Sequence, residues 1–293
     1  MEYFLQQFIN SIARGSILAV LAAGYTITFG VIGLVNFAHG EIFMLSAFAA
    51  YFVITVYGFS FVYGVIAAIV FGIFVGLFIE RIAFKPLRDK GMITLFITSL
   101  VVSIGLRNIA IMRFSDMTRR FDYPGIFDGV HFLGDMIFFR KNIIILILTV
   151  IIAVLLLYFI NKTKTGIAMK AISYDMSTAS ALGVNTEKLI IIAFAISSAL
   201  AGIAAIFHGI RFGSLSPTMG VIPVINSFVA SVLGGIGNVG GAIFAGFLIG
   251  IGEGLFIAFL PGHLTGLRPL FIWIVFIVIL LFKPTGLFRS NIQ

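Results

Sequence analysis

The chain has 293 residues, 60% of them hydrophobic and 10% charged, with a mean hydropathy of +1.17. A soluble domain carries about a quarter charged residues because its surface faces water, so this composition excludes an ordinary soluble fold. With no cysteine, it also excludes disulfides, thiolate metal sites and cysteine nucleophiles.

The segments 12–35, 40–57, 62–84, 92–114, 142–161, 189–213, 221–236, 239–260 and 269–287 read in order as about nine hydrophobic runs, within a range of eight to ten. Ile143–Ile160 has no charge and Leu270–Phe282 is nearly as pure, and a bilayer core needs roughly 20 apolar residues per helix. The runs are continuous, whereas barrel strands alternate over about ten residues. The fold class expected is an all-α polytopic membrane protein, one domain over residues 1–293, with the second, seventh and eighth runs short or Gly-rich enough to be broken or re-entrant. The N-terminus has no charged region followed by a short apolar stretch and a cleavage site, so no signal peptide is expected.

The net charge of +8 sits in short loops between these runs, which reads as flanks of membrane helices and not as a nucleic-acid surface. Three stretches read as cytoplasmic: ERIAFKPLRDKG with Arg81, Lys85, Arg88 and Lys90; the 162–188 loop with Lys162, Lys164, Lys170 and Lys188; and the tail with Lys283 and Arg289. The 115–141 loop balances Arg119, Arg120, Arg140 and Lys141 against Asp116, Asp122, Asp128 and Asp135, and is assigned outside. Nine crossings then place the N-terminus outside and the C-terminus inside.

The 162–189 loop, KTKTGIAMKAISYDMSTASALGVNTEKL, is too amphiphilic to span and too patterned to be a linker. Met169, Ile172, Met176, Ala179 and Leu182 or Gly183 recur at helical spacing, which predicts a short helix, and Gly183 followed by Val184-Asn185 reads as its stop. Such a helix suits docking into a partner's groove, or lying on lipid headgroups.

Here the chain resembles the LivH-type permeases of branched-chain amino acid ABC importers, over essentially its whole length. The resemblance is carried by GYTITFGVIGLVNFAHGEIFML at 24–45, TGIAMKAISYDMSTASALGVN at 165–185, NSFVASVLGGIGNVGG at 226–241, and KPTGLF near the end. It implies a permease in a bacterial or archaeal cytoplasmic (inner) membrane, pairing with a LivM-like second permease, two ABC ATPase subunits and an external substrate-binding protein. Asp175, Ala179, Leu182, Gly183 and Asn185 would form the loop that docks on the ATPase, Asp175 offering its charge to an Arg or Lys there. No Gly-x-x-x-x-Gly-Lys-Ser/Thr phosphate loop occurs, so no cofactor is expected on this chain and ATP-Mg belongs to the partner ATPases. No metal site and no enzymatic centre are expected.

Ionisable groups at membrane depth are costly and mark functional positions. Asn36, His39 and Glu41 fall at a break between two runs, either lining the path or its gate, or forming a structural turn in which His39 and Glu41 satisfy each other or nearby backbone groups. Glu253 interrupts AGFLIGIGEGLF, and Arg107 with Asn108 interrupts the fourth run, Arg107 being a partner for Glu253 or reaching towards an interface. Asn226 and Asn238, in the late Gly-rich motif, complete the candidates for the translocation path. His208 and Arg211 fall at the external end of the sixth run, solvated or touching a binding protein. Gly246, Gly250 and Gly254, like Gly237 with Gly241 and Gly72 with Gly76, repeat at four residues and predict close helix crossing. A mostly apolar path with a few polar groups suits leucine, isoleucine or valine in zwitterionic form, with urea or short amides as alternatives. A stand-alone secondary transporter is the other class, for which Glu253 and Glu41 are the only candidate coupling acids.

Overall fold

The computed structural model describes residues 2–133, 136–260, 266–283 and 286–288. Among them are eleven α-helices: α1 (Glu2–Ile32), α2 (His39–Tyr51), α3 (Phe61–Ile79), α4 (Met92–Phe114), α5 (Arg140–Lys162), α6 (Lys164–Tyr174), α7 (Met176–Ala181), α8 (Thr186–Phe212), α9 (Val221–Leu233), α10 (Val239–Phe259) and α11 (Arg268–Phe282). Seven stretches are long and apolar enough to cross a membrane: Gln6–Ile32, His39–Val56, Phe61–Lys90, Met92–Phe114, Arg140–Lys162, Thr186–Phe212 and Val239–Phe259. Val221–Leu233 and Ile272–Phe282 are shorter apolar helices. Asp135, Pro284, Thr285 and Arg289, which enter the loop, KPTGLF and tail readings, lie outside the described residues.

The core is built around α1, buried from Ser16 to Phe29. Its closest neighbour is α10. A Cβ at Gly246 would fall within 2.7 Å of the Ala19 backbone, and one at Gly250 would land on the backbone of Gly15. At Gly254 it would meet the Ser11 side chain. The four-residue glycine repeat is therefore a packing strip inside this subunit, and the Gly72–Gly76 pair is another, set against Ser198 of α8. By contrast, α3, α4 and α5 show rows of exposed Val, Ile, Leu and Phe, as a lipid-facing surface requires.

Of the three runs expected to be short or broken, the seventh is short, its helix α9 having 13 residues, whereas the second passes from α2 into a π-helical turn ending at Val56 and stays long enough to cross. α2 starts in the bundle interior, where His39 lies beside Gly24 of α1 and Ser197 of α8. It runs to the end where Phe48 stacks on Phe114 at 4.6 Å. α9 also starts inside, with its first turn against that of α2: a Cβ at Gly40 would sit 2.6 Å from the Gly220 carbonyl oxygen. It runs the opposite way, ending where the Leu233 carbonyl accepts from Leu287 N–H at 2.7 Å. The eighth run, however, is an uninterrupted helix of 21 residues, because its glycines face α1 and leave the backbone ladder intact.

The 115–141 loop is more ordered than a simple connection. β1 (Arg119–Arg120) pairs antiparallel with β4 (Ser214–Leu215), and β2 (Val130–Leu133) with β3 (Met136–Phe139). The Gln6 side chain bonds both the N–H and the carbonyl of Ile137, so the N-terminus and this loop share one end of the bundle. At the opposite end lie α6, α7 and the C-terminal Leu287, the arrangement that an odd number of crossings requires.

Gly250→Leu forces a side chain into the Gly15 backbone and is expected to cost at least about 1–3 kcal/mol. Gly105→Leu, at a helix glycine with nothing within 4 Å, is its control. Thermal unfolding in detergent checks this, with a lowered midpoint for the first variant and an unchanged one for the second.

Candidate functional site: a capped segment and a charged cavity

Two assemblies stand at opposite ends of the bundle. The first begins where α5 stops at Lys162. Thr163 Oγ1 accepts from Gly166 N–H at 3.1 Å and starts α6. Gly166 lets the chain turn back on itself, since a Cβ there would strike Phe159 and Ile160. Met169 and Ile172 face inwards and are buried.

The single helix expected in this loop is instead two, broken at Asp175. Its backbone is extended, and its carboxylate accepts from Ser177 N–H at 2.9 Å, Thr178 N–H at 3.1 Å and the hydroxyls of both residues. The Asp175 charge is thus engaged in capping α7. The hydroxyl of Thr178, then that of Ser177, hold the carboxyl well below the usual carboxylate range. Ala179 is buried under the segment. Gly183, at φ +86°, ends α7: its N–H bonds Ser180 O, and Val184 N–H bonds Ala179 O. Asn185 Oδ1 accepts from Lys188 N–H at 3.0 Å and caps α8. Of the five residues expected to dock, three therefore set the local backbone and one is buried. Leu182, 80% exposed, is the one that projects from the surface, with Tyr174 exposed nearby in sequence.

The expected polar turn on α2 is buried, and its members do not pair with each other. His39 Nδ1 lies 3.4 Å from Ser197 Oγ, and Tyr25 packs edge-on against its ring. Glu41 accepts from Ser103 Oγ at 3.0 Å and lies in electrostatic range of Arg107. Asn36 is buried, and both its amide atoms lack a protein partner. Arg107 is thus set towards Glu41 and not towards Glu253. Asn108 is exposed and bonds the Ile104 carbonyl of its own helix, and Asn238 caps α10 by accepting from Gly241 N–H at 3.0 Å.

The second assembly is a cavity of about 240 Å3 between α1, α8, α9 and α10. Glu253 and Asn226 line it, as do Arg14 and His208. Arg14 Nη1 stands 3.7 Å from Glu253 Oε2. The rest of the wall is apolar, formed by Ile17, Leu18, Phe212, Met219, Ile222 and Pro223. His208 thus lines the cavity and is half-buried. Arg211 is turned inwards, donating to the Asn10 carbonyl at 2.9 Å. Sequence reasoning passed over Arg14, although a lone cation inside the first apolar run carries the same signal that singled out Glu253.

Residues 7–281 match the family described as branched-chain amino acid transport system / permease component. The high-affinity branched-chain amino acid transport system permease protein LivH of Escherichia coli K12 is 33% identical over 97% of this chain and 95% of its own length. The same permease of Salmonella typhimurium and the corresponding protein BraD of Pseudomonas aeruginosa match to the same extent.

Asp175→Ala removes the cap, and deuterium exchange at the Ser177 and Thr178 amides is expected to accelerate. In the unaltered chain the cap, whose carboxyl is depressed in the folded state, contributes fully above the ordinary aspartate value of about 3.9. It is lost only as pH falls through the lower folded value, so protection, corrected for intrinsic rate, is expected to stay constant between about pH 7 and pH 5.

Proposed function

From the premise that this chain belongs to the branched-chain amino acid transport permease family, we propose that it is the membrane-spanning subunit of an ATP-driven importer that carries leucine, isoleucine and valine. The observation that carries this reading is the likeness to LivH and BraD over 97% of the chain. It is a multi-pass membrane protein, and residues 1–293 act as one permease domain in a bacterial or archaeal cytoplasmic membrane. It hydrolyses no ATP itself. Its motor is a pair of ABC ATPase subunits holding ATP-Mg, its pore is completed by a LivM-like second permease, and its solute is delivered by an external binding protein.

The docking element for the ATPase is the 163–185 segment, with Leu182 as its contact. Three observations support this. An apolar side chain 80% exposed on a loop with Lys162, Lys164, Lys170 and Lys188 is suited to a partner's pocket. The cap at Asp175 and the stop at Gly183 fix its position before any partner arrives. The backbone around it is bonded within the segment, so a partner has side chains and shape to recognise. Gly183 is a poor place to test docking, because any side chain at φ +86° strains the backbone itself.

Leu182→Asp changes an exposed side chain and leaves the fold intact. In mild detergent the wild-type permease is expected to bring down the ATPases and the second permease, whereas Leu182→Asp is expected to lose the ATPases and all leucine uptake in proteoliposomes. Retention of both by the variant rules out this docking contact. Failure of the reconstituted wild-type complex to take up any branched-chain amino acid rules out the transport reading.

A further inference from the structure

Most of the charged groups on this chain are accounted for by loops and by local caps, but the cavity at the end of the 115–139 loop holds charges of both signs against an apolar wall. We propose that this cavity is a station for a zwitterionic α-amino acid, Glu253 taking the ammonium group and Arg14 the carboxylate. The proposal deepens the importer reading and rests on it.

The geometry is that of a site that accepts both head groups at once. The 3.7 Å between Arg14 Nη1 and Glu253 Oε2 exceeds the roughly 2.7–2.9 Å of a closed charge-assisted hydrogen bond. Glu253 is 2% exposed and Arg14 22%, so both act in a medium that screens them little. Among the described residues lining or adjoining the cavity, Arg14 and Arg211 outnumber the one carboxylate Glu253, and Arg211 lies close enough to Arg14 to repel it. The Nε and Nη1 of Arg211 are buried without a protein acceptor. The first turn of α9, at Ile222 and Pro223, forms part of the wall and adds the partial positive charge of a helix N-terminus. An entering carboxylate balances this surplus, and the ammonium group replaces Arg14 at Glu253.

The size and the remaining lining restrict the solute further. A volume of about 240 Å3 lies below the roughly 300–1,000 Å3 of pockets for drug-sized ligands. Ile17, Leu18, Met219 and Ile222 present a branched aliphatic surface to whatever side chain follows the head groups into the cavity. Burial of such a side chain is favourable at about 25 cal/mol per Å2, and a solute with a charged side chain would leave that charge unpaired against the same wall.

A packing ion pair and a recognition pair respond oppositely to removal of both partners. For a packing pair, each single neutralisation leaves a buried lone charge, whereas the double variant leaves none. The complete importer, purified with its ATPases, second permease and binding protein, is reconstituted with Arg14→Gln, with Glu253→Gln and with both. Labelled leucine uptake is expected to fall at least about ten-fold in each single variant and to stay down in the double variant, all three eluting as the intact complex. Recovery of uptake in the double variant overturns the proposal. Should a neutralised variant fail to assemble, Arg14→Lys keeps the charge but loses the bidentate fork. It is expected to raise the KM for leucine several-fold, and an unchanged KM overturns the proposal. A wild-type complex that transports no amino acid is a different failure, which takes the importer reading down before this site is tested.

Discussion

Where α1 crosses α10, Gly250 lies on Gly15 and Gly246 on Ala19, so two backbones meet with almost no side chain between them. Lipid tails are as apolar as the helices, so association in a bilayer draws on close van der Waals packing, and small residues supply it. The rest of the architecture follows from this crossing. It holds α1 inside the bundle along most of its length, which is why Ser16, Thr26 and Thr28 are buried beside Ala and Leu. It also fixes the rotation of both helices. With Gly250 and Gly254 turned towards α1, Glu253 on the adjacent edge of α10 meets Arg14, the residue next to Gly15. The charged cavity is thus a consequence of glycine packing.

The second constraint is that every backbone polar group at membrane depth must find a partner within the protein. Two helices start in the interior, so the chain has non-helical backbone there at 33–38 and 213–220. Turn bonds meet the requirement: His39 N–H to Asn36 O and Gly40 N–H to Phe37 O before α2, and Val221 N–H to Thr218 O before α9. Gly40 and Gly220 let these two starts touch. The polar residues of the 24–45 motif gather around that junction, which accounts for their presence in an otherwise apolar region. Glu41 accepts from Ser103 of α4, a helix that also packs on the bundle through Phe96 and Phe114 and whose other face is exposed.

The sequence carried the helices because run length and polarity are local properties. It carried the stop at Gly183 because a left-handed residue there favours glycine. It did not show that Asp175 breaks the segment, since helical spacing continues across the break and only the four bonds that its carboxylate accepts from Ser177 and Thr178 decide against continuity. Pairing across the bundle was equally out of reach. Arg107 and Arg14 are equivalent choices for Glu253 in one dimension, and the crossing of α1 on α10 chooses the second. Nor could the motif show that Asn238 caps a helix, since a polar side chain beside glycines looks alike in one dimension whether or not its oxygen accepts from Gly241 N–H.

The two assemblies are joined by one element. α8 begins immediately after the capped segment, where Glu187 is held by Lys85 at 2.9 Å and by Arg88 at 3.1 Å. Exposed pairs of this kind stabilise by about 0–1 kcal/mol each. Arg88, however, also binds Glu80, a carboxylate 2% exposed at the end of α3, and a buried charge deprived of its partner is strongly destabilising. The start of α8 is therefore fixed to α3 through Arg88, while α6 is fixed to α5 through the close approach at Gly166. From that anchored start, α8 runs 27 residues, about 40 Å, past Ser197 beside His39, to His208 and Phe212 in the cavity wall. A displacement of the segment that carries Leu182 has a direct covalent route to the cavity, and that route passes the junction where α2 and α9 start.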